Sequence, residues 1–340
     1  MKILITKPRG NDVFNTFFTD NAIKEIEKLG EVKYNPHNRE YTREELKEEL
    51  KDIDVVFTGW GATCYDSELL EKANKLKIIA HTGGSAAAII SDELAKRNIT
   101  LLSGNRLYAE SVAEGALTYM LMAQRKMLKN ISDMETSGWP SEYHFTKGLK
   151  SKTVGIVGFG MIAENLARIL QVFDVKVKIY SGYLSQEKAD EYNAKVCSLD
   201  EIFETCDIIS VHSGLNAKNL HLIDKKYFSK MKDDALIVNT ARGAVLNEDD
   251  LISELKTGRI RAILDVYEIE PLPMDSGLRG LPNAILVPHK GGPTTDVREI
   301  VTIELCEDIR KYFSGSNELN HEITLEYASR MTNESKFMKK

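Results

Sequence analysis

The sequence predicts an α/β protein of two doubly wound parallel-sheet domains, one inserted into the other, and three observations carry that expectation. Short β-branched runs alternate with amphipathic stretches along most of the 340 residues, the pattern of parallel strands covered by helices on both faces. One strand runs directly into a glycine-rich turn and then a helix. One long helical pattern interrupts the series where a simple crossover would be shorter, and a second follows the last strand.

Along the chain, strands are expected at 2–6, 54–58, 77–81 and 100–103, then at 153–157, 176–180, 207–212, 235–240, 261–266 and 284–287. Each is short, rich in Val, Ile and Leu, and bounded by polar or turn residues, as doubly covered strands are. Between them, 21–29, 67–76, 161–173 and 249–257 carry apolar residues at three- and four-residue spacing, the period of a helix with one buried face. From Glu110-Ser111-Val112 towards Gly138 a single long helix is expected, with Leu117, Met120, Leu121 and Met122 interleaved with Glu114, Gln124, Arg125 and Lys126. It is too long for a crossover and reads as a bridge between domains. A second long amphipathic helix, 295–313, follows the last strand. With both as bridges, residues 1–106 and 294–340 form one discontinuous domain, and 107–293 form the domain inserted in it.

The composition is that of a soluble globular chain: 42% hydrophobic and 28% charged residues, with a net charge of -6 spread along the sequence. No basic cluster suits nucleic acid, and Lys336-Phe337-Met338-Lys339-Lys340 reads as a solvated tail. No apolar run reaches the roughly 20 residues of a membrane helix, and the charge of Lys2 stands where a signal peptide would carry its apolar segment. Cys64, Cys197, Cys206 and Cys306 share no metal-ligand spacing and are too few for a disulfide framework. The expected setting is a reducing cytoplasm, with no metal and with neither nucleic acid nor membrane as partner.

Thr153-Val154-Gly155-Ile156-Val157 leads into Gly158-Phe159-Gly160-Met161-Ile162-Ala163, and a helical pattern follows at once. Gly158 permits a tight turn, Gly160 permits close approach of a pyrophosphate, and a small residue at 163 lets helix and strand pack. The pyrophosphate would sit on free N–H groups at the positive end of the helix. A carboxylate should end the next strand to hold the ribose diol of NAD, yet Lys176-Val177-Lys178-Ile179-Tyr180 is followed by Ser181-Gly182-Tyr183. Ser181 tolerates a 2′-phosphate. Lys188 is the nearest cation in sequence, so NAD and NADP both stay open.

In open α/β sheets ligands lie beyond the carboxyl ends of the strands. Strand 235–240 delivers Arg242 there, 261–266 delivers Asp265 and leads to Glu268 and Glu270, and 284–287 delivers Pro288-His289. Arg242 can clamp a carboxylate or carbonyl with its planar fork. His289 can exchange a hydroxyl proton as a hydride moves, since an imidazole titrates near neutrality. Read singly, Arg242 is a surface ion pair, His289 a capping residue and Glu270 a solvated charge; at successive strand ends beside a dinucleotide turn they favour catalysis.

Together these motifs resemble the D-isomer-specific 2-hydroxyacid dehydrogenase family over nearly the whole chain. Val154-Gly155-Ile156-Val157-Gly158-Phe159-Gly160 is similar to the family's dinucleotide fingerprint, and Val238-Asn239-Thr240-Ala241-Arg242-Gly243 to its arginine motif. Leu264-Asp265-Val266-Tyr267-Glu268-Ile269-Glu270-Pro271 resembles its acidic motif, and Leu286-Val287-Pro288-His289 its histidine motif. Ser111-Val112-Ala113-Glu114 resembles the start of its bridging helix. The resemblance implies a Rossmann-type cofactor domain inserted into a flavodoxin-like substrate domain, a homodimer formed through the cofactor domain, and hydride transfer between NAD(P)H and a small 2-oxo or 2-hydroxy acid. It implies that Arg242, Glu270 and His289 are catalytic, with Glu270 paired to His289 and Asp265 facing the nicotinamide carboxamide. Gly158, Gly160, Met161, Ile162, Ser181, Ser213, Gly214, Asn219, Thr240 and Ala241 would line the cofactor cleft.

Ile79-Ala80-His81-Thr82-Gly83-Gly84-Ser85 is similar to the loop whose N–H groups hold the substrate carboxylate, assigning that contact to Gly83, Gly84 and Ser85. The loop follows a strand and precedes small residues able to begin a helix. Four departures stand out: Ala163 replaces a glycine, Ser181 the usual acid, Gly214 a common proline, and Lys290 a small or apolar residue. Pointing inward, Lys290 would depress the pKa of His289. Trp60, Gly61 and Trp139 are candidates for a side-chain pocket. A dinucleotide-sensing, corepressor-like binding protein is the competing class, because such proteins can keep the same residues.

Overall fold

The computed structural model describes every residue except Asn11, Ser137, 140–144 and 333–340; the basic tail lies outside the described residues. The described residues divide into two units, one from Met1–Tyr108 and the C-terminal segment that begins at Pro293, the other Ala109–Gly292.

The first unit holds strands β1 (Lys2–Pro8), β2 (Glu31–Asn35), β3 (Val55–Thr58), β4 (Ile78–His81) and β5 (Thr100–Ser103), in the order β2-β1-β3-β4-β5. All pairings are parallel. This is the flavodoxin-like order, with its switch point between β1 and β3. The Val-Val-Phe-Thr of β3 is buried throughout, as a doubly covered central strand must be. Helix Thr295–Phe313 returns to this unit and buries Val301, Leu305, Cys306 and Ile309 against Ile3, Ile5, Phe17 and Phe57.

The second unit holds β6 (Thr153–Val157), β7 (Lys176–Tyr180), β8 (Ala194–Val196), β9 (Ile208–Val211), β10 (Leu236–Asn239), β11 (Arg261–Leu264) and β12 (Ala284–Leu286), ordered β12-β11-β10-β9-β6-β7-β8. Counted from β6, that is 3-2-1-4-5-6 with a seventh strand at the edge, the dinucleotide-binding order with its switch between β6 and β9. One face packs on Leu166, Ala167 and Leu170 of helix Met161–Leu170, the other on Phe203, Phe228 and Leu251.

Four sequence expectations need correction. Strands β2 and β8 are additional to those expected; both are sheet edges, and an edge strand lacks the continuous apolar run that marks a central one. The stretch 67–76 forms only the 3₁₀ turn Leu69–Lys72. Its spacing still buries Leu69, Leu70, Ala73 and Leu76, so the periodicity recorded burial and not a helix. The long helix is two, Asn105–Gln124 and Met127–Thr136, separated where Lys126 takes a left-handed conformation with φ 49°. No helix begins after Ser85; residues 87–89 form a turn, and the next helix is Asp92–Lys96.

Candidate active site

The glycine turn after β6 is shaped by contact as well as conformation. Gly158 has φ 90°, and a Cβ there would stand 2.7 Å from both the main-chain N and the Oγ of Ser213, so only glycine fits. Gly160 is the extended N-cap of helix Met161–Leu170, and a Cβ on it would meet no atom within 4 Å. The backbone is therefore open on that side, as pyrophosphate approach requires. Met161 and Ile162 are half-buried in the first turn, and Ala163 is fully buried, so a methyl is accommodated at the third glycine position.

Around the turn, Asn219 Nδ2 donates to the carbonyl of Gly214 at 3.0 Å and closes the loop after β9. Asn239 Oδ1 accepts the Ala241 N–H at 3.0 Å. The buried Thr240 hydroxyl has no hydrogen-bond partner among the described residues. An open glycine and an orphaned hydroxyl at the carboxyl ends of β6 and β10 fit a dinucleotide. Ser181 accepts the Tyr183 N–H at 3.3 Å. Lys188 pairs with Glu191 at 2.7 Å and Glu164 at 3.4 Å, so the cation nearest in sequence is already committed.

The segments that follow β10, β11 and β12 bring together Arg242, Glu270 and His289. His289 Nδ1 lies 2.7 Å from Glu270 Oε2, while Glu270 Oε1 accepts the Tyr267 N–H at 3.0 Å. The hydrogen bond to Glu270 raises the pKa of His289 against the opposing effect of burial. Burial pushes Glu270 up, but the bonds from His289 and Tyr267 outweigh it and hold the carboxyl below its usual range. The charge of Arg242 acts on both groups, so the guanidinium belongs to the same cluster. Its Nη1 donates to the Ala241 carbonyl at 2.6 Å. Lys290 is exposed, and the expected depression of His289 gives way to the carboxylate's effect.

Asp265 does more than its motif suggests. Its buried carboxylate accepts the N–H of Lys290 at 2.6 Å on Oδ1 and that of Gly291 at 2.8 Å on Oδ2, and its carbonyl accepts the His289 N–H at 2.9 Å. Tyr119, from helix Asn105–Gln124, adds its hydroxyl to Oδ1 at 3.2 Å. Asp265 thus builds the turn on which His289 sits, at φ 51°, in the sparsely populated left-handed region. Gly115 of the same helix lies against this turn; a Cβ there would come within 2.2 Å of the Gly291 carbonyl. Tyr119 and Gly115 were not legible as site residues, since neither belongs to a strand-end motif. At the end of β9, His212 Nε2 meets Ser210 Oγ at 2.8 Å, and burial holds the His212 pKa down at about 4.

Gly83, Gly84 and Ser85 lie in the first unit, at the carboxyl end of β4. The Ser103 hydroxyl donates to the carbonyls of Gly83 and Gly84 at 3.2 and 3.3 Å, and Ser85 Oγ donates to the Thr332 carbonyl at 2.7 Å. A Cβ on Gly83 would stand 2.4 Å from Nε2 of the buried His81, so the loop is pressed onto a ring that burial keeps neutral, its pKa down at about 4. Trp60 remains 42% exposed, edge-on to Phe17 and Tyr108, beside Gly61 at the end of β3. Trp139 is 87% exposed.

A dinucleotide-order sheet carrying an Arg, Glu and His set beyond its carboxyl edge, with a flavodoxin-order sheet in the same chain, defines the architecture of a two-domain dehydrogenase. Comparison with known proteins gives the family. Residues 117–291 match the D-isomer specific 2-hydroxyacid dehydrogenase NAD binding domain, and the chain belongs to that family. It is 33% identical to the glyoxylate reductase of Thermococcus litoralis, over 87% of this chain and 91% of that protein. It is 32% identical to the D-3-phosphoglycerate dehydrogenase of Methanocaldococcus jannaschii over 93% of this chain, which spans only 58% of that longer relative. Among solved structures, a glyoxylate reductase from Paecilomyes thermophila superimposes with a TM-score of 0.75 at 26% identity, covering 96% of this chain and 99% of that one.

Proposed function

We propose that this protein reduces small 2-oxo acids to 2-hydroxy acids with NADH or NADPH, and runs the reverse oxidation. The observation that supports it most is the 2.7 Å Glu270–His289 pair within reach of the charge of Arg242. A bound reduced nicotinamide would supply the hydride to C2. His289, kept protonated by Glu270, gives its proton to the carbonyl oxygen as that hydride arrives. Glu270 then faces a neutral ring that it still orients through Nδ1. The fork of Arg242 holds the oxo-acid oxygens in place, and the N–H groups of residues 83–85 take the carboxylate. Buried Asp265 keeps the His289 turn fixed throughout.

A homodimer and a cytoplasmic setting complete the proposal. Helix Met127–Thr136 has no buried residue, yet Met127, Leu128, Ile131 and Met134 on it are 43–51% exposed, an apolar stripe that a second copy would cover. Among the described residues no helix is long and apolar enough to cross a membrane. The deciding experiment follows NADH and NADPH absorbance while a panel of 2-oxo acids is added. Turnover of at least one acid is expected; tight NADH binding with no turnover across the panel would instead identify a dinucleotide sensor.

A further inference from the structure

The turn after β10 carries Arg242 and the turn after β11 carries Glu270. A set of bonds that the proposed chemistry does not use joins the two. Glu268 Oε1 accepts the main-chain N–H of Glu248 at 3.0 Å, and Glu248 Oε2 accepts the main-chain N–H of Glu268 at 3.1 Å. Glu248 opens helix Glu248–Leu255, so Glu268 satisfies one of the N–H groups that a helix start leaves free. His221 Nε2 stands 2.9 Å from the same Glu268 oxygen, and the His221 N–H donates to the Ala244 carbonyl at 2.8 Å.

The backbones beneath are in contact. A Cβ on Gly243 would fall 1.9 Å from the carbonyl carbon of Tyr267 and 2.4 Å from the Glu268 nitrogen. One residue beyond Arg242, the chain therefore lies directly on the chain two residues before Glu270. The 267–270 segment is also closed on itself by the Tyr267 N–H to Glu270 bond, so a displacement of Glu268 is passed to Glu270 and on to His289. Facing carboxylates are a costly way to join two turns. Burial and the charge of Glu268 both push Glu248 up, against the Glu268 N–H, where an apolar pair would carry no such cost.

Resting on the dehydrogenase assignment above, we propose that Glu268, held by His221 and by its reciprocal bonds with Glu248, is a positioning residue that fixes the Arg242 turn against the Glu270 turn. The carboxylate touches no reacting atom and acts through the backbone it pins.

The test compares full-length Glu268→Ala and Glu268→Gln with the wild type in three measurements: the NMR titration of the His289 ring, kcat and KM for an accepted 2-oxo acid, and the thermal midpoint. Glu268→Ala is expected to move the His289 midpoint down towards the ordinary imidazole value and to raise KM. kcat/KM should fall by up to about 10²-fold, the cost of an ångström-scale misplacement. Glu268→Gln keeps an oxygen that accepts from both Glu248 and His221, and is expected to restore both readouts. A folded Glu268→Ala protein with wild-type His289 titration and wild-type kcat/KM would overturn the proposal, and so would a Gln variant as impaired as Ala. Should Glu268→Ala fail to fold, His221→Ala, which leaves both carboxylates in place, is read instead, with the same expected direction and the same overturning result. Absence of turnover in the wild type would count against the dehydrogenase assignment alone, because the His289 titration still reports on the clamp.

Discussion

His289 combines an uncommon backbone conformation with a ring tied to a carboxylate, and under the proposed mechanism its titration should set how the rate depends on pH. The pKa raised by Glu270 keeps the imidazolium present above the ordinary value of 6.5. Reduction, which consumes that proton, is expected to hold its rate above the ordinary imidazole value and fall as pH rises through the raised one; oxidation should gain over the same interval. Initial rates in both directions across pH, in wild type and Glu270→Gln, check this, with the substitution moving both limbs to lower pH. His289→Ala should leave NADH affinity intact and lower turnover by ~10²–10⁴-fold; turnover within twofold of wild type would remove His289 from the chemistry. If Ser181 faces the ribose as proposed, it provides neither the diol contact nor the repulsion of a carboxylate. NADPH is therefore expected within about tenfold of NADH in kcat/KM, a difference of about 1.4 kcal/mol, and Ser181→Asp should shift the ratio towards NADH. An unaltered ratio would mean that another acid holds the ribose. The Glu270–His289 pair expected from the resemblance stands at 2.7 Å; both residues follow strand ends whose motifs are local in sequence. The anchoring of Asp265 was not legible, since its hydroxyl donor, Tyr119, is 146 positions away and no local pattern marks a partner so remote.

At the scale of elements, reading succeeded where burial is two-sided and failed at edges and breaks. β5, β6 and β7 fall where their apolar runs place them, and helix Thr295–Phe313 matches its periodicity end to end. β8 has three residues and β2 alternates exposed and partly covered positions, which leaves too little pattern to separate them from loop. The break at Lys126 has no glycine or proline to signal it. Helix Thr295–Phe313 also carries a buried polar anchor. Asp308 Oδ2 accepts the main-chain N–H of His321 at 2.6 Å and faces its Nδ1 at 3.1 Å, and Oδ1 accepts from Asn320 at 3.1 Å. Burial pushes Asp308 up, but these bonds outweigh it and its pKa lies below the ordinary 3.8. A depressed folded-state value means that the unfolded chain binds the proton more readily. The stabilisation is thus present above about pH 4 and lost as pH falls through the lower folded value. Asp308→Ala, which leaves the N–H groups of Asn320 and His321 without their acceptor, should cost about 1–3 kcal/mol at pH 7 and flatten the acid limb of a denaturation-versus-pH series; an unchanged limb would place the acid sensitivity elsewhere.

Across the whole molecule, two sheets of different strand order share one chain, and the first unit is made from both of its ends. The alternation of strand and helix made the fold class legible, whereas the apolar stripe on helix Met127–Thr136 emerged only once that segment was seen to stand apart from the core. Sedimentation at micromolar concentration is expected to show a dimer, and paired charges at Leu128 and Ile131 to give a folded monomer; a monomeric wild type would rule out the stripe as a subunit contact. The discontinuous first unit also fixes an order of events during synthesis. β1 to β5 leave the ribosome long before Val301, Leu305 and Ile309 exist to cover Ile3 and Ile5, whereas residues 109–292 emerge as one uninterrupted block. Domains generally fold as units once their sequence is available, so here the later block should close first, reversing the usual N-terminal lead. A chain truncated just before Pro293 and released from the ribosome should resist protease across that block while residues 1–108 are still cut, and only a chain that includes Thr295–Phe313 should be protected in both. Strands β1 to β5 would then find shelter only after the strands that follow them, and until that moment they are the segment a chaperone would hold.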